Sequence, residues 1–413
     1  MSLLLKNVLH GGTRKDISIE KGRFVSIKDS DGGCDSPVAE RCIDASGLAI
    51  FPAFFNAHTH AAMTLLRGYA DDMPLQQWLQ DYIWPYEDKL SDADIAAGSR
   101  LAVEEMVSGG SCFFNDMYFG IEQTIKAVCD AGMRACIGIT VMECHSQAVE
   151  DVKREFVEQF RDPSGGLIQL AIAPHAIYTV GKEKLRRSAE WARKYGLRLH
   201  IHLSETDREV QDCLREHAMT PVRYLDSIGF LGPDVVAAHC VHVDEEEWDI
   251  LAERGVTAVH CPCSNMKLGS GRFPYELALK SGAKVALGTD GASSNNNLDM
   301  REEMKFAALL AKCVSAPSAE ALVNEGVPTL LPASVVLEWA TRNGAQAFGL
   351  DSGEIAEGKL ADCVLVDLAS PRMRPGHNAL SDWVYSASAQ DVAFTLCNGR
   401  VIYARPDYSG ASI

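Results

Sequence analysis

The chain has 413 residues, of which 47% are apolar and 23% are charged, a balance typical of globular proteins. Its formal net charge of −17 argues against a binding face for nucleic acid or an anionic membrane, because such faces need clustered lysines and arginines. No apolar run is long enough to span a bilayer, and the first residues do not resemble a secretory signal. The 13 cysteines follow no disulfide-framework spacing, so we expect a reduced, cytoplasmic protein.

The first 53 residues contain short β segments separated by turns, at residues 2–9, 16–20 and 23–27. This stretch alone is too short to bury a core. It therefore needs a partner elsewhere in the chain.

From residue 54 onward, apolar runs that end in a polar residue alternate with helical patterns. Eight such strands with intervening helices predict a parallel (β/α)8 barrel over residues 54–353. A doubly wound open sheet is the alternative, but it would need a glycine-rich turn where residues 55–58 (FNAH) stand. The runs cover residues 48–56, 111–116, 134–141, 167–175, 197–205, 235–242, 256–265 and 284–290, and helical patterns cover residues 92–108, 121–131, 182–195, 207–228, 245–254 and 301–315.

The end of the chain returns to β segments, at residues 362–367, 392–397 and 400–404. Asn398-Gly399 between the last two is a strong signal for a two-residue hairpin turn. Since neither chain end can bury a core alone, we expect residues 1–53 and 354–413 to build one small β-sandwich domain beside the barrel.

Ionisable residues stand at the C-terminal ends of the predicted strands, where barrel enzymes collect their catalytic groups. In an extended His58-x-His60 pair both rings point to one side, so both can bind the same ion. Burying these groups without a metal or proton partner would be costly. We therefore expect one divalent metal, Zn²⁺ with Fe²⁺ as the alternative. Its predicted ligands are His58, His60, His202 and Asp290.

The other histidines are assigned to ordinary hydrogen-bonded or surface positions. His200 shares the face of His202 but lies one layer deeper, so it is predicted to be a core residue. The same assignment is made for His10, His145, His217, His242, His260 and His377.

Several motifs carry a family resemblance. Residues 52–60 (PAFFNAHTH) resemble the first-strand signature of the amidohydrolase superfamily. Residues 201–206 (IHLSET), 260–268 (HCPCSNMKL) and 289–296 (TDGASSNN) resemble its branch of 5'-methylthioadenosine/S-adenosylhomocysteine deaminases. The resemblance spans nearly the whole chain. It implies a hydrolytic deaminase that removes the 6-amino group of a 5'-modified adenosine and leaves the inosine analogue.

The resemblance also implies roles for the rim residues. A divalent ion activates water for attack on C6 of the purine, and Asp290 accepts the proton of that water. Glu205 protonates a ring nitrogen as general acid, and His239 orients the attacking oxygen by a hydrogen bond. The alternatives are a helix-capping role for Glu205 and a core position for His239.

Two further residues match the substrate-binding positions of the family, alongside Glu205 and Asp290. Glu87 in residues 83–87 (IWPYE) corresponds to a glutamate that hydrogen-bonds the ribose and the purine, and His175 corresponds to a base-contacting histidine. The alternatives are a solvent-facing glutamate and a core histidine.

One departure concerns the 5'-group. The family uses an arginine on its third strand toward the carboxylate of an amino-acid substituent, and Ile139 stands at that position here. An apolar side chain cannot pair with a carboxylate, so we expect S-adenosylhomocysteine to be a poorer substrate than methylthioadenosine, 5'-deoxyadenosine or adenosine. Ile139→Arg is then expected to improve its use, and Arg154 is a candidate for compensation.

Two other functions stay open. Guanine, a pterin or an s-triazine would be hydrolysed by the same metal chemistry, although residues 293–297 and Glu87 favour a nucleoside. A non-catalytic amidohydrolase-like scaffold would be expected to lose ligands that this chain keeps. The expected partner is thus a small purine nucleoside, and we also expect a homo-oligomer.

Overall fold

The computed structural model of the chain describes residues 2–30, 39–143, 157–159, 166–314 and 330–408. The strands are β1 (Ser2–His10), β2 (Thr13–Glu20), β3 (Arg23–Asp29), β4 (Arg41–Asp44), β5 (Leu48–Pro52), β6 (Phe54–Thr59), β7 (Ser111–Tyr118), β8 (Arg134–Val141), β9 (Ile168–Pro174), β10 (Arg198–Leu203), β11 (Val235–His239), β12 (Thr257–His260), β13 (Lys284–Leu287), β14 (Cys363–Asp367), β15 (Val392–Cys397) and β16 (Arg400–Ala404).

Most of the helices lie between successive barrel strands or after the last one. They are α1 (Leu75–Gln77), α2 (Trp84–Glu87), α3 (Asp92–Ser108), α4 (Ile121–Ala131), α5 (Lys182–Tyr195), α6 (Asp207–His217), α7 (Pro221–Ser227), α8 (Glu245–Arg254), α9 (Pro262–Lys267), α10 (Tyr275–Ser281), α11 (Ala292–Asn295), α12 (Met300–Val314), α13 (Ala333–Ala340), α14 (Arg342–Ala347) and α15 (Ala379–Tyr385). Further segments of 3₁₀- or π-helix are Ala61–Leu66, Trp78–Ile83, Pro371–Met373, Ala389–Asp391 and Pro406–Tyr408. Within the described ranges no helix is both long and apolar enough to cross a membrane.

Strands β6 to β13 form one parallel sheet in sequential order. The chain after β13 returns to β6, where the backbone N–H of Asp290 donates to the carbonyl of His58 at 3.0 Å. Asn56 and Thr289 are also hydrogen-bonded across this junction. The result is a nearly closed eight-stranded barrel surrounded by helices. The predicted (β/α)8 architecture is confirmed, and the open-sheet alternative is wrong.

Parallel barrel strands are buried on both faces, which explains their continuous apolar runs. Side chains such as Phe55, Phe113 and Val236 fill the interior, while the opposite faces pack against the helices. One predicted helix, over residues 207–228, is in fact two. The chain leaves α6 at Ala218 with a φ of 54°, and Pro221 begins α7.

The two chain ends build one separate sheet, as expected. Its order is β16-β15-β14-β5-β1-β2-β3, with β4 beside β1, and β5 pairs with β14. The apolar run at residues 48–56 is divided, because β5 belongs to this sheet and β6 to the barrel. Trp383 of α15 stacks on Phe51 and Phe54, so the C-terminal segment also packs against the barrel. The domain boundaries at residues 53/54 and 353/354 stay a prediction.

A buried ion pair joins the two sheets. Arg134 at the start of β8 donates to both carboxylate oxygens of Asp362, and both side chains are buried. The Ser352 hydroxyl and the Asn398 backbone N–H donate to the same carboxylate, each at 2.6 Å. Burial alone would lower the pKa of Arg134, but Asp362 outweighs it and raises that pKa. We call Arg134, Ser352, Asp362 and Asn398 the joint cluster. The hydrogen bonds of its carboxylate are therefore supplied by the chain's own groups.

Candidate metal centre and active site

The four predicted ligands meet at the C-terminal rim of the barrel. His58 lies near the end of β6, His60 follows that strand, His202 lies near the end of β10, and Asp290 follows β13. Asp290 Oδ1 lies 3.2 Å from Nε2 of His58 and 3.1 Å from Nε2 of His60. Nε2 of His202 lies 3.3 Å from Nε2 of His60. One ligand atom each from His58, His60 and Asp290 lies within 4.8 Å of the others, so this group can hold a metal ion.

Hydrogen bonds at the far side of two rings set their tautomers. Nδ1 of His60 lies 2.6 Å from the carbonyl oxygen of Met117, and Nδ1 of His202 lies 2.8 Å from that of His175. A carbonyl oxygen only accepts, so each Nδ1 carries the proton. When each ring is neutral, Nε2 is the nitrogen that can bind a cation, and each ring is held in orientation.

His58 is supported by another histidine. Its Nδ1 lies 2.8 Å from Nε2 of His200, which is fully buried, as the core assignment predicted. Nε2 of His58 is also buried, and among the described residues it makes no hydrogen bond, although Asp290 Oδ1 lies 3.2 Å away. An unpaired polar atom in a buried position is costly, and a cation bound there would remove that cost.

The pKa values agree with a cation site. Burial lowers the pKa of His58 to about 4 against the opposite influence of Asp290, and burial also holds the pKa of His202 well below its usual value. Both rings are thus neutral near pH 7, the form that binds metal. For His60, burial lowers the pKa but Asp290 outweighs it and raises it to about 9. The buried Asp290 carboxylate therefore requires a positive charge at this point.

Asp290 is held by groups that the sequence analysis missed. Its Oδ2 accepts hydrogen bonds from the hydroxyls of Ser264 at 2.6 Å and Ser294 at 2.9 Å. Its Oδ1 accepts from the Gly291 N–H at 2.8 Å and faces the histidines. Both serines lie in the motifs quoted above, but their spacing gave no signal for this contact. They restrict Asp290 to presenting one oxygen to the centre.

Glu205 and His239 lie beside this group. The buried Glu205 accepts a hydrogen bond from Ser270 at Oε1, and its Oε2 lies 3.7 Å from Nε2 of His239. Burial raises the pKa of Glu205, which brings the carboxyl closer to exchanging protons at neutral pH. Nδ1 of His239 donates to Oδ1 of Asn265 at 2.8 Å, so its Nε2 faces the centre. Both residues therefore line the site rather than the core.

The capping role considered for Glu205 belongs to other residues. Thr206 is the N-cap of α6, and its hydroxyl accepts from the Glu209 N–H. The Glu209 carboxylate in turn accepts from the N–H groups of Ser204 and Glu205. Glu209 is a further residue that the sequence analysis missed, since a glutamate in a first helical turn is an ordinary feature.

Glu87 and His175 line the same pocket as Glu205 and Asp290, together with Trp78 and Trp84. Burial raises the pKa of Glu87 to about 7, while Tyr118 and His60 act in the opposite direction. Burial lowers the pKa of His175 to about 3, and its Nδ1 lies 2.9 Å from the Thr179 hydroxyl. The structure thus brings together every predicted site residue. The rest of the lining is chiefly apolar, from Met63, Leu75, Leu79, Ile83, Met117, Phe119, Met142, Tyr178 and Leu268.

The third strand requires a correction. Ile139 packs against the apolar layer between the strands and the helices, whereas Thr140 and Met142 line the pocket. An arginine at position 139 would therefore start from the wrong face of β8, and its predicted benefit for S-adenosylhomocysteine does not follow from this geometry. Arg154 lies outside the described residues.

Comparisons with known proteins agree with this geometry. Residues 49–402 match the sequence model of the amidohydrolase family. A 5'-deoxyadenosine deaminase of Methanothermobacter thermautotrophicus is 44% identical over 95% of this chain and 90% of its own length. A 5-methylthioadenosine/S-adenosylhomocysteine deaminase of Archaeoglobus fulgidus is 45% identical over 91% of this chain and 87% of its own length.

A solved structure extends the likeness to three dimensions. The crystal structure of an adenosine deaminase from Xanthomonas campestris with bound zinc superposes with a TM-score of 0.88 at 33% identity. The match covers 97% of this chain and 92% of that one. Sequence, fold and rim geometry thus lead to one conclusion, that this chain belongs to the amidohydrolase family.

Proposed function

We propose that this protein is a metal-dependent aminohydrolase that replaces the 6-amino group of an adenosine with oxygen and releases ammonia. The observation that carries the proposal is the convergence of a His/His/Asp group and two acid–base side chains, Glu205 and His239, in one pocket. The names of the relatives, which act on 5'-deoxyadenosine, methylthioadenosine and S-adenosylhomocysteine, support an adenosine as the substrate.

His58, His60, His202 and Asp290 would hold one divalent cation. Neutral imidazole nitrogens and one carboxylate oxygen suit Zn²⁺ and Fe²⁺, and the zinc in the Xanthomonas deaminase supports Zn²⁺. When bound, such a cation supplies Lewis-acid chemistry and lowers the pKa of water from about 15.7 toward about 7.

The protein's own groups would move the protons. Glu205, whose pKa burial raises, donates a proton to the purine ring nitrogen next to C6 as the aromatic system breaks. Asp290 accepts a proton from the attacking water and passes it to the departing amino group. His239 directs Nε2 toward the centre and orients the attacking oxygen. Ammonia then leaves with the electron pair of the C6–N bond, the carbonyl forms at C6, and the remaining hydroxyl proton passes to the Glu205 carboxylate, which restores the acid.

Glu87 and His175 would select the substrate. The Glu87 carboxylate accepts hydrogen bonds from the ribose hydroxyls, and His175 contacts the base. Among the described residues that line the pocket there is no lysine or arginine, so an amino-acid carboxylate finds no cationic partner there. We therefore propose 5'-deoxyadenosine and 5'-methylthioadenosine as the preferred substrates, and S-adenosylhomocysteine as a poor one.

The test is an ammonia-release panel, with the metal content measured on the same sample. The panel contains 5'-deoxyadenosine, methylthioadenosine, adenosine, S-adenosylhomocysteine, guanine, a pterin and an s-triazine. Highest turnover is expected with the first two, and a chelator should abolish it reversibly. Turnover confined to free bases or triazines would overturn the substrate class, and no turnover with full metal occupancy would favour a scaffold.

Two properties stay predictions: residence in the cytoplasm and a homo-oligomeric state. Sedimentation of the purified protein tests the second, since a monomer across the working concentration range would contradict it.

A further inference from the structure

A second buried carboxylate holds the backbone that carries Glu205. Oε1 of Glu209 accepts a hydrogen bond from the Ser204 N–H at 2.9 Å, and Oε2 accepts from the Glu205 N–H at 2.8 Å. The Glu209 side chain lies in the first turn of α6 and is 3% exposed. One carboxylate therefore binds two successive N–H groups immediately next to the proposed general acid.

The bound backbone is in a disfavoured conformation. Ser204 has a φ of 50°, in the left-handed region that a serine seldom adopts. Its carbonyl oxygen accepts from the N–H groups of Val241 and His242, just beyond His239. The Ser204 peptide is thus fixed on both sides, by Glu209 and by the chain after β11. Strain of this kind persists only where surrounding contacts over-determine it.

The neighbouring helix α8 shows that this is more than ordinary capping. There Glu247, at the same third helical position and 1% exposed, bonds back to the N–H of its own N-cap residue, Asp244. In α6 the carboxylate of Glu209 instead extends past its N-cap, Thr206, to the two preceding residues. The two hydrogen bonds of Glu209 therefore hold the loop before the helix rather than the N–H of its own N-cap residue.

We propose that Glu209 is a positioning residue for the deamination, because it fixes the Ser204–Glu205 backbone so that the Glu205 carboxyl is held at the reacting ring nitrogen. The inference rests on the proposed role of Glu205. Glu209 itself is absent from the pocket lining, so it acts through Glu205 and makes no contact with the substrate.

Glu209→Gln tests the proposal with little change in shape. One carboxylate oxygen becomes an amide NH₂ that cannot accept, so one of the two backbone N–H groups loses its partner. We expect kcat to fall about 10- to 100-fold, the range expected for lost hydrogen bonds to a charged group. KM and metal content should stay near those of the wild type.

Glu247→Gln is the matched control, with the same substitution at the same helical position. It should lower the melting temperature but leave kcat near the wild-type value. Equal losses of kcat in Glu209→Gln and Glu247→Gln would make Glu209 a merely structural residue and overturn the proposal.

A double-mutant cycle shows whether Glu209 acts through Glu205. In a Glu205→Gln background, Glu209→Gln should cause almost no further loss of kcat. The same fold loss in both backgrounds would overturn the inference. If Glu209→Gln does not fold, Glu209→Asp replaces it in the cycle, because the shorter carboxylate cannot span both N–H groups.

The cycle also separates this inference from the proposed function. If Glu205→Gln keeps wild-type turnover, the role of Glu205 fails. If Glu205→Gln is inactive and Glu209→Gln is fully active, only the inference about Glu209 fails.

Discussion

Two clusters of buried polar side chains lie at opposite ends of the barrel strands and differ in how completely they are paired. At the start of β8, the joint cluster gives Asp362 an arginine, a hydroxyl and a backbone N–H. At the rim, Nε2 of His58 has no hydrogen bond within the part of the chain that the structure describes, and Asp290 draws a proton onto His60. A saturated cluster needs nothing from outside and contributes to stability. An incomplete cluster of the same burial identifies the site that binds and reacts.

The largest expected effect is at the rim. Glu205→Gln should lower kcat by about 10²- to 10⁴-fold, the usual range for losing a general acid. Its metal content and melting temperature should match those of the wild type, because no described ligand contact and no capping bond depends on the Glu205 carboxylate. Turnover near the wild-type rate would remove Glu205 from the mechanism.

A substitution in the joint cluster should instead lower stability and leave turnover unchanged. Arg134→Met leaves the Asp362 carboxylate buried without its cation and should destabilise the protein by about 3–5 kcal/mol. Turnover per folded molecule should hardly change, because Arg134 lies at the far end of β8 from the pocket. Denaturant unfolding and kcat are measured on the same sample.

A double replacement sharpens this second prediction. Adding Asp362→Leu to Arg134→Met removes the unpaired charge and should recover part of the lost stability. A loss below about 1 kcal/mol in Arg134→Met alone would mean that the joint is not a buried, dehydrated pair.

A smaller effect is expected at the substrate end of the pocket. Above its pKa of about 7, Glu87 is a charged acceptor, so Glu87→Gln weakens hydrogen bonds from the ribose hydroxyls and should there reduce kcat/KM for 5'-deoxyadenosine about 10- to 100-fold. The change should appear mainly in KM, with the metal retained. Thr179→Val is a comparison variant, because it removes the hydroxyl that contacts Nδ1 of His175 and leaves Glu87 unchanged. A loss confined to kcat would contradict ribose binding by Glu87.

The sequence predicted most of this arrangement because the signals for it are local. Apolar runs that end in His or Asp predict both the barrel and its rim, since parallel strands present their C-terminal ends at one edge. The missed contacts depend on three-dimensional placement. Ser264 and Ser294 come from different loops and meet only at Asp290. In the sequence, Glu209 is indistinguishable from Glu247, because capping and loop-holding glutamates occupy the same helical position.

The sequence pattern did not show whether the side chain of Ile139 faces the pocket or the helices. On a strand buried on both sides, apolar residues occupy both faces, so hydrophobicity does not tell the pocket face from the helix face. In β8 the alternation places Thr140 toward the pocket and Ile139 toward the helices. A shift of one residue thus separates a binding position from a packing position.

These two adjacent positions give the smallest expected effect. Thr140→Arg puts a cation at the pocket wall, where a partly solvated ion pair is worth about 0.2–1 kcal/mol, so the use of S-adenosylhomocysteine relative to methylthioadenosine should rise by about 1.5- to 5-fold. Ile139→Arg should leave that ratio unchanged and instead lower the melting temperature, because it introduces an unpaired charge into the apolar layer beneath the helices. The two variants carry the same new side chain one residue apart, so competition between the two substrates together with thermal unfolding separates binding from packing. A rise in the ratio for Ile139→Arg alone would show that the pocket extends to the face of β8 assigned here to packing.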